Sequence, residues 1–402
     1  MLRLFPLARA PLAVVLALVV TGVATPVAAA PPQWKRDINQ AVGDHDMSVA
    51  VGLSGSWLYR RGTWKQMTPA SNQKLLFSMA LLHRHAPGTR IRTRLFAAGR
   101  TTDGVLRGNL WLVGRGDPEV DRLTMAAFAR AVDRAGIRRV VGRVMGATTG
   151  FRRDWWAPGW RDYFPRVYIP LPTALTFEGN EDDRGVHIRD PEHRAARSLT
   201  KRLRALGVRV TKEPGAGVPP SGLRRIATIH SDRLGALISR MNRRSRNFHA
   251  EVLGKWFGGL VFGGAGSIAK GARAIARFAD ARGVSLVAHD ASGLSYANRI
   301  RTMDLVRLLW FAETRPWERS LRASLPRGGQ GTLAGRLTTV RLRAKTGTLI
   351  DISSLSGWVW LAQEGTWGEF SIMSRGMSKS EAVAIEDRIV RILANRASLA
   401  TP

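Results

Sequence analysis

The alternation of apolar and polar residues along the chain predicts a mixture of short strands and amphipathic helices. Strands with period-two alternation are predicted at 47–53, 57–59, 340–348, 353–361 and 368–374. Helical periodicity is predicted at 33–42, 71–84, 234–242, 250–257, 268–280, 302–312 and 381–394. The last three strands follow one another with tight connections, which is typical of an antiparallel meander. Helices at both ends of the chain flanking this sheet indicate an α+β fold.

Between residues 90 and 230 the predicted elements are shorter, and strands and helices are mixed along the chain. The predicted strands here are 91–97, 105–113, 138–145, 208–211 and 225–230, and the helices are 125–135 and 192–206. Residues 151–172 are rich in Trp, Pro and Arg and are predicted as an ordered loop. We therefore predict one domain formed by residues 31–89 and 231–402, with an inserted accessory region at 90–230.

The first 30 residues have the layout of a secretion signal. Arg3 and Arg9 form a positive end, and an apolar run of about 14 residues follows before the small residues Ala28 to Ala30. This run is shorter than the ~20 residues that span a membrane, although an uncleaved anchor is the alternative. The segment predicts an exported protein of the periplasm, cell wall or extracellular space.

Composition narrows the chemistry in two ways. The 402 residues contain no cysteine, which excludes disulfides, thiolate catalysis and cysteine-type zinc sites. The formal net charge of +32 comes from arginines scattered along the whole chain. Such a field attracts polyanions, and for an exported protein these are anionic wall polymers or lipid head groups rather than nucleic acid. Solvated surfaces of an arginine-rich protein are an equally good explanation.

The stretch around Ser71 carries the first catalytic signal. Ser71 and Lys74 are three residues apart at the predicted start of a helix, so they share one helical face. A serine hydroxyl becomes a strong nucleophile when a neighbouring base takes its proton, and partial burial lowers the pKa of a lysine enough to make it that base. Alone, the pattern is weak, and a helix start with a solvated lysine explains it better.

Two further motifs follow in order. Ser245-Arg246-Asn247 interrupts a predicted helix, and Lys345-Thr346-Gly347 lies on a strand leading into the meander. With Ser71-x-x-Lys74, they resemble the three motifs of the serine penicillin-recognising enzymes. The flanking segments 68–76, 112–118, 241–251, 290–295, 331–337 and 344–349 resemble one family among them. This is the D-alanyl-D-alanine carboxypeptidase/endopeptidase family, the class C low-molecular-mass penicillin-binding proteins.

The resemblance implies a fold and a set of roles. The fold would be a penicillin-binding, transpeptidase-like domain with an insertion between the first two motifs. Ser71 would attack the D-Ala-D-Ala bond with Lys74 as base, and Ser245 would pass a proton to the leaving amine. The substrate would be held by Asn247, Lys345, Thr346, Gly347 and Thr348.

In this scheme Asn247 would hold Lys74 and the substrate amide. Lys345 would supply positive charge for the proton relay and for the terminal carboxylate, which Thr346 would hydrogen-bond. Gly347 would allow the substrate backbone to approach closely, and the backbone N–H groups of Ser71 and Thr348 would form an oxyanion hole. β-Lactams would acylate Ser71. The implied partners are peptidoglycan peptides and β-lactams, with no metal and no organic cofactor.

The chain departs from the family pattern in three places, one of which is Arg115, where a small residue is frequent. Arg246 stands where the family usually has Asp, at a position whose side chain often points away from the reacting atoms. The interval between Ser71 and Ser245 is short for the family, so we predict one accessory domain with a smaller one reduced or missing. Residues 178–189 are a candidate remnant of the smaller one.

Other polar residues have weaker claims to function. Glu251 is interpreted as a helix residue in a local ion pair, and residues 290–295 either line the cleft or form a structural turn. Two alternative functions also remain: a serine β-lactamase or esterase built on the same motifs, and a basic wall-binding protein with weak catalysis. Intact motifs at all three positions argue against the second.

Overall fold

The computed structural model describes residues 1–2 and 31–395 of the 402-residue chain, so residues 3–30 of the predicted secretion signal lie outside the described residues. The strands are β1 (Met47–Leu53), β2 (Ser56–Arg61), β3 (Arg90–Ala98), β4 (Thr101–Thr102), β5 (Val105–Leu106), β6 (Asn109–Val113), β7 (Arg139–Val140), β8 (Val144–Ala147), β9 (Arg209–Val210), β10 (Gly215–Gly217), β11 (Arg224–Arg233), β12 (Leu342–Leu349), β13 (Ile352–Leu361) and β14 (Thr366–Arg375).

The helices of the same residues are α1 (Gln33–Val42), α2 (Gln73–Arg84), α3 (Arg122–Arg134), α4 (Phe164–Val167), α5 (Pro191–Ala205), α6 (Leu234–Arg244), α7 (Asn247–Phe262), α8 (Ile268–Asp280), α9 (Thr302–Glu313), α10 (Glu318–Ser324) and α11 (Lys379–Asn395). Among these residues, no helix combines the length and the apolar character that crossing a membrane requires.

The central sheet is antiparallel and has the order β12-β13-β14-β1-β2. The predicted meander forms its first three strands, and β1 completes the sheet by pairing with β14 from the other end of the chain. Helices cover both faces: α1 and α11 pack on one, and α2 with α6 to α10 packs on the other. The predicted α+β fold is confirmed.

Each face of the sheet has its own apolar core. Ile38 of α1 and Val390 of α11 are fully buried on one side, together with Phe370 of the sheet. On the other side, Leu76 and Phe77 of α2 are fully buried against the neighbouring helices. Residues 73–82 of α2 are all buried, so the start of the helix is held in a rigid setting.

Residues 90–230 form two further sheets, with orders β10-β8-β6-β3-β11 and β4-β5-β7-β9. The predicted continuous strands 105–113 and 138–145 are wrong, because each is split between these two sheets. At the first break the chain passes too close to β3 for a side chain, since a Cβ at Gly108 would lie 1.7 Å from the carbonyl oxygen of Ala98. The division of the chain into domains at residues 90 and 230 stays a prediction.

Candidate active site

Ser71 lies in a single 3-10 turn, Ala70–Asn72, directly before α2. The α-helix therefore begins two residues later than Ser71 itself. Ala70 has a φ of 46°, a left-handed conformation that costs energy for a residue with a side chain. The turn packs against Gly293, where a Cβ would lie 1.9 Å from the carbonyl oxygen of Ala70. Ser71 is thus held in a strained turn that surrounding atoms enforce.

Lys74 lies beneath Ser71 and is completely buried. Its Nζ is 3.0 Å from Ser71 Oγ, 2.8 Å from Asn247 Oδ1 and 2.5 Å from the carbonyl oxygen of Ser292. Burial lowers the pKa of Lys74 to about 7, against the opposing influence of the carboxyl groups of Asp290 and Glu251. At neutral pH a large share of this amine is unprotonated, as a base for the Ser71 proton must be.

The second motif brings another serine and lysine together. Helix α6 ends at Arg244, Ser245 adopts a left-handed conformation with φ 53° and ψ 40°, and α7 begins at Asn247. Lys345 Nζ donates to Ser245 Oγ at 2.9 Å and to the carbonyl oxygen of Thr346 at 2.8 Å. Burial, with repulsion from Lys74, holds the pKa of Lys345 well below its usual range.

Strand β12 forms the edge of the sheet beside the nucleophile. Thr346 Oγ1 is 2.7 Å from Thr332 Oγ1 and Thr348 is exposed. A Cβ on Gly347 would lie 2.1 Å from Ser354 Oγ and 3.0 Å from the backbone nitrogen of Ser71. The protein's own atoms therefore already require a glycine here, and the Ser71 backbone N–H lies against β12.

A cavity of about 610 Å³ opens in front of these groups. Six of the predicted site residues line it: Ser71, Ser245, Asn247, Thr346, Gly347 and Thr348. Lys74 and Lys345 are fully buried beneath them. The arrangement places two serines, Ser71 and Ser245, at the cavity, each with a lysine behind its hydroxyl group.

The interpretation of Glu251 as a residue in a local ion pair is wrong. Glu251 is fully buried, and its Oε1 accepts from the backbone N–H groups of Ala291 at 2.9 Å and Ser292 at 2.7 Å. It fixes the loop whose Ser292 carbonyl oxygen contacts Lys74. The sequence did contain an indication that Glu251 lies near the site. Glu251 is four residues after Asn247, one turn along the same helical face.

Asp290 holds the same loop from the other side. Its carboxylate accepts from the backbone N–H groups of Gly293 at 2.9 Å and Ser295 at 2.8 Å, and from Asn298 Nδ2 at 2.8 Å. The indole of Trp160, in the predicted loop 151–172, donates to Asp290 Oδ2 at 2.7 Å. This segment is both a structural turn and a wall of the cleft, where Gly293 and the neighbouring Leu294 line the cavity.

A second cavity of about 470 Å³ adjoins the first, and Asn247 and Tyr168 line both. Arg246, the unusual residue of the second motif, lines the second cavity and is not among those that line the first. Its charge is thus placed to the side of the reacting groups. In the described part of the chain, no group of three or more His, Asp or Glu side chains is arranged to hold a metal ion.

Comparison with models of known protein families identifies the family of this chain. A family model, that of the D-Ala-D-Ala carboxypeptidase 3 (S13) family, matches residues 41–184 and 171–396. The chain belongs to this family. The predicted resemblance and the predicted enzyme class, a serine-type D-Ala-D-Ala carboxypeptidase, are therefore confirmed.

Two relatives show how far the family likeness extends. The chain is 27% identical over 475 aligned positions to a D-alanyl-D-alanine carboxypeptidase of an Actinomadura species, covering 92% of this chain and 86% of the relative. It is 30% identical over 345 positions to a carboxypeptidase of Mycobacterium tuberculosis, covering 77% of this chain and 71% of the relative.

Solved structures support the fold. Penicillin-binding protein 4 of Haemophilus influenzae superposes with a TM-score of 0.78 at 18% identity, over 89% of this chain and 99% of that protein. The same protein in complex with a β-lactam superposes with a TM-score of 0.69 at 20% identity, over 90% and 97% of the two chains. The roles of individual site residues stay predictions.

Proposed function

We propose that this S13-family enzyme hydrolyses the D-Ala-D-Ala bond of peptidoglycan stem peptides through an acyl-enzyme on Ser71, and that β-lactams acylate the same serine. The observation that carries this proposal is the 3.0 Å contact between Ser71 Oγ and the fully buried Lys74 Nζ. A buried amine with a pKa of about 7 is suited to remove the serine proton near neutral pH.

The reaction begins when neutral Lys74 accepts the Ser71 proton and Ser71 Oγ adds to the carbonyl carbon of the penultimate D-Ala. The backbone N–H groups of Ser71 and Thr348 stabilise the oxyanion that forms. Collapse of this intermediate breaks the amide C–N bond while Ser245 Oγ donates its proton to the leaving amine. Lys345 Nζ, 2.9 Å from Ser245 Oγ, returns a proton to that hydroxyl.

Deacylation completes the cycle. Between the two half-reactions Lys74 gives up the proton it took from Ser71 and Lys345 takes one up, so both amines return to their starting states. Water then adds to the ester carbonyl while Lys74 accepts its proton, and Lys74 passes that proton to Ser71 Oγ as the ester C–O bond breaks. Asn247 Oδ1, 2.8 Å from Lys74 Nζ, keeps the amine in place throughout. The amide group of Asn247 also lines the cavity, where it is positioned to contact the peptide amide of the substrate.

We also propose that the protein is exported and works at the cell wall. The signal-like layout of residues 1–30 and the family's peptidoglycan chemistry support this location. The formal charge of +32 suits contact with anionic wall polymers or lipid head groups. We propose residues 90–230 as an accessory region of the peptidase domain.

The experiment that tests the function is a time course of intact mass after addition of benzylpenicillin to the wild-type protein and to Ser71→Ala. We expect a lasting adduct of one penicillin on the wild type and none on Ser71→Ala. Release of D-alanine from a D-Ala-D-Ala peptide, absent in the variant, would complete the assignment. Labelling that persists in Ser71→Ala would contradict it.

The same time course separates the alternatives. A short-lived adduct with turnover of the drug would indicate a β-lactamase. No adduct, with wall binding that persists in Ser71→Ala and disappears at high salt, would indicate a basic wall-binding protein.

A further inference from the structure

In the described structure, few charged side chains line the 610 Å³ cavity, and they all lie on one side of it. Within the described residues, two charged side chains line it, Arg336 and Lys379, and both are cations. Both lie on the side of the cavity formed by strand β12 and helix α11. A substrate that ends in a free carboxylate needs a cation on one side of its scissile bond, so these two residues are the candidates in contact with the cavity.

Arg336 already has its counter-charges. Its Nη2 lies 2.9 Å from Glu386 Oε2 and 2.8 Å from Asp387 Oδ1, and its Nε donates to Asp387 Oδ1 at 3.1 Å. Two carboxylates on one guanidinium compensate its charge and occupy the donors that a ligand would use. Arg336 is therefore part of the scaffold that connects its loop to α11.

Lys379 has a different environment. Its Nζ donates to Ser353 Oγ at 3.0 Å, and that hydroxyl in turn donates to Glu386 Oε1 at 2.7 Å. Within the described residues, no ion pair within 4.0 Å joins Lys379 to a carboxylate, although the carboxyl groups of Glu386 and Asp387 attract its charge at longer range. Its side chain is exposed and lines the cavity. Its ammonium group thus keeps donors available for a ligand.

The position of Lys379 is also unfavourable for helix stability. It is the first residue of α11, where the helix dipole places a partial positive charge that disfavours a cation. The dipole by itself therefore does not favour a lysine at this position. The same partial charge, however, adds to the attraction of the site for an anion.

Lys345, the lysine of the third motif, cannot make this contact directly in the observed arrangement. Its side chain is completely buried, and its Nζ is bonded to Ser245 Oγ and to the carbonyl oxygen of Thr346. The expected role of Lys345 in binding the terminal carboxylate therefore has to be indirect, as a nearby charge.

The strand register places Lys379 close to the substrate-binding edge. Thr348 of β12 is directly opposite Ser353 of β13, and Ser353 Oγ is the group that Lys379 contacts. Lys379, at the start of α11, is thus next to Thr348. Thr348 lies on the edge strand β12, which also carries Thr346 and Gly347. We infer that Lys379 is a specificity residue that binds the terminal carboxylate of the substrate, beside the hydroxyl groups of Thr346 and Thr348.

This inference rests on the proposed hydrolysis of D-Ala-D-Ala peptides. Its test compares a peptide ending in D-Ala-D-Ala with the same peptide carrying a C-terminal primary amide. For Lys379→Met we expect kcat/KM on the free acid to fall roughly ten- to hundredfold, the effect of losing a charge-assisted hydrogen bond. The loss in kcat/KM should come mainly from an increase in KM. Activity on the amide should change less than about twofold, because the amide has no charge for Lys379 to bind.

Two control variants sharpen the test. Lys379→Arg retains the positive charge and should recover most of the preference for the free acid. Arg388→Met removes one positive charge from an exposed position on the same helix that does not line the cavity, and should leave both substrates unaffected. Thermal unfolding of each variant confirms that the comparison is between folded proteins.

The outcomes are distinguishable. If Lys379→Met retains the full preference for the free acid, Lys379 is not the carboxylate-binding residue. If Arg388→Met loses the preference equally, the effect is one of general charge and the inference is also wrong. A wild-type protein that cleaves neither peptide and forms no penicillin adduct would contradict the proposed function instead.

Discussion

Two completely buried lysines, Lys74 and Lys255, lie in different regions of this protein and have different partners. Lys74 contacts a hydroxyl group, an amide oxygen and one backbone carbonyl oxygen. Lys255, on α7, donates to the carbonyl oxygens of Arg152, Asp154 and Pro172 at 2.8 to 3.0 Å. Its Nζ also lies 2.8 Å from a carboxylate oxygen of Asp154.

Burial lowers the pKa of both amines, so burial alone does not identify a catalytic base. Every partner of Lys255 is an oxygen that can only accept, and one is a carboxylate 2.8 Å away. Such a shell holds an ammonium group in place and fastens the 151–172 loop to α7. Among the three partners of Lys74, by contrast, Ser71 has a hydroxyl group that can give up a proton. The partners decide the role.

The largest expected effect comes from removing the amine at the active site. Lys74→Met keeps the volume of the side chain but has no base, so acylation by benzylpenicillin should fall about a thousandfold or more. Second-order rate constants from mass spectrometry measure this loss. Retention of more than about a tenth of the wild-type rate would show that another group accepts the Ser71 proton.

Dependence on pH should be the next largest effect. In the proposed mechanism the neutral amine of Lys74 is the base. Because the pKa of Lys74 is about 7, acylation should then rise about tenfold per pH unit below pH 7 and level off above it. A lysine with the ordinary pKa of about 10.4 would delay the plateau by more than three units. Rates between pH 5 and pH 9 distinguish the two profiles. A plateau beginning only near pH 10 would contradict the assignment of Lys74.

The smallest effect on acylation is expected for Lys255→Met, the same chemical change at equal burial. It leaves three carbonyl oxygens and the carboxylate of Asp154 without their donor, so the free energy of unfolding should fall by about 3–5 kcal/mol. Acylation by penicillin should change less than about tenfold, through the 151–172 loop alone. Denaturant unfolding and acylation rates measure the two quantities separately, and a loss of acylation as large as that of Lys74→Met would remove the distinction.

Hydrophobic patterning was a good guide to elements that have one buried face. Helix α8 has the predicted bounds of 268–280, because its buried residues recur at helical spacing along its whole length. The predicted strand at 105–113 failed because its apolar residues belong to two different sheets. A pattern of apolar positions does not show where the backbone turns within a predicted strand, so that the second half of the strand pairs with a different sheet.

The candidate site divides in a similar way. Ser71, Lys74, Ser245 and Lys345 were predictable, since each motif is continuous in the chain and its spacing carries the chemistry. The electrostatic setting of Lys74 was not, because the carboxyl groups that act on it come from α7 and from the loop after α8. Lys379 was also missed, since it has no partner nearby in sequence and only the strand register places it beside Thr348.

The hydrogen bond from Trp160 to Asp290 has a consequence for how this architecture can change during evolution. Trp160 belongs to the 90–230 segment, whereas Asp290 orders the loop that contacts Lys74. The segment is therefore not a freely exchangeable module: a lineage that shortens or replaces it removes one donor to the buried Asp290 carboxylate, which then depends on the donors of its own loop. Sequence drift in the insertion is thereby constrained by the chemistry of a serine nearly ninety positions away from the tryptophan.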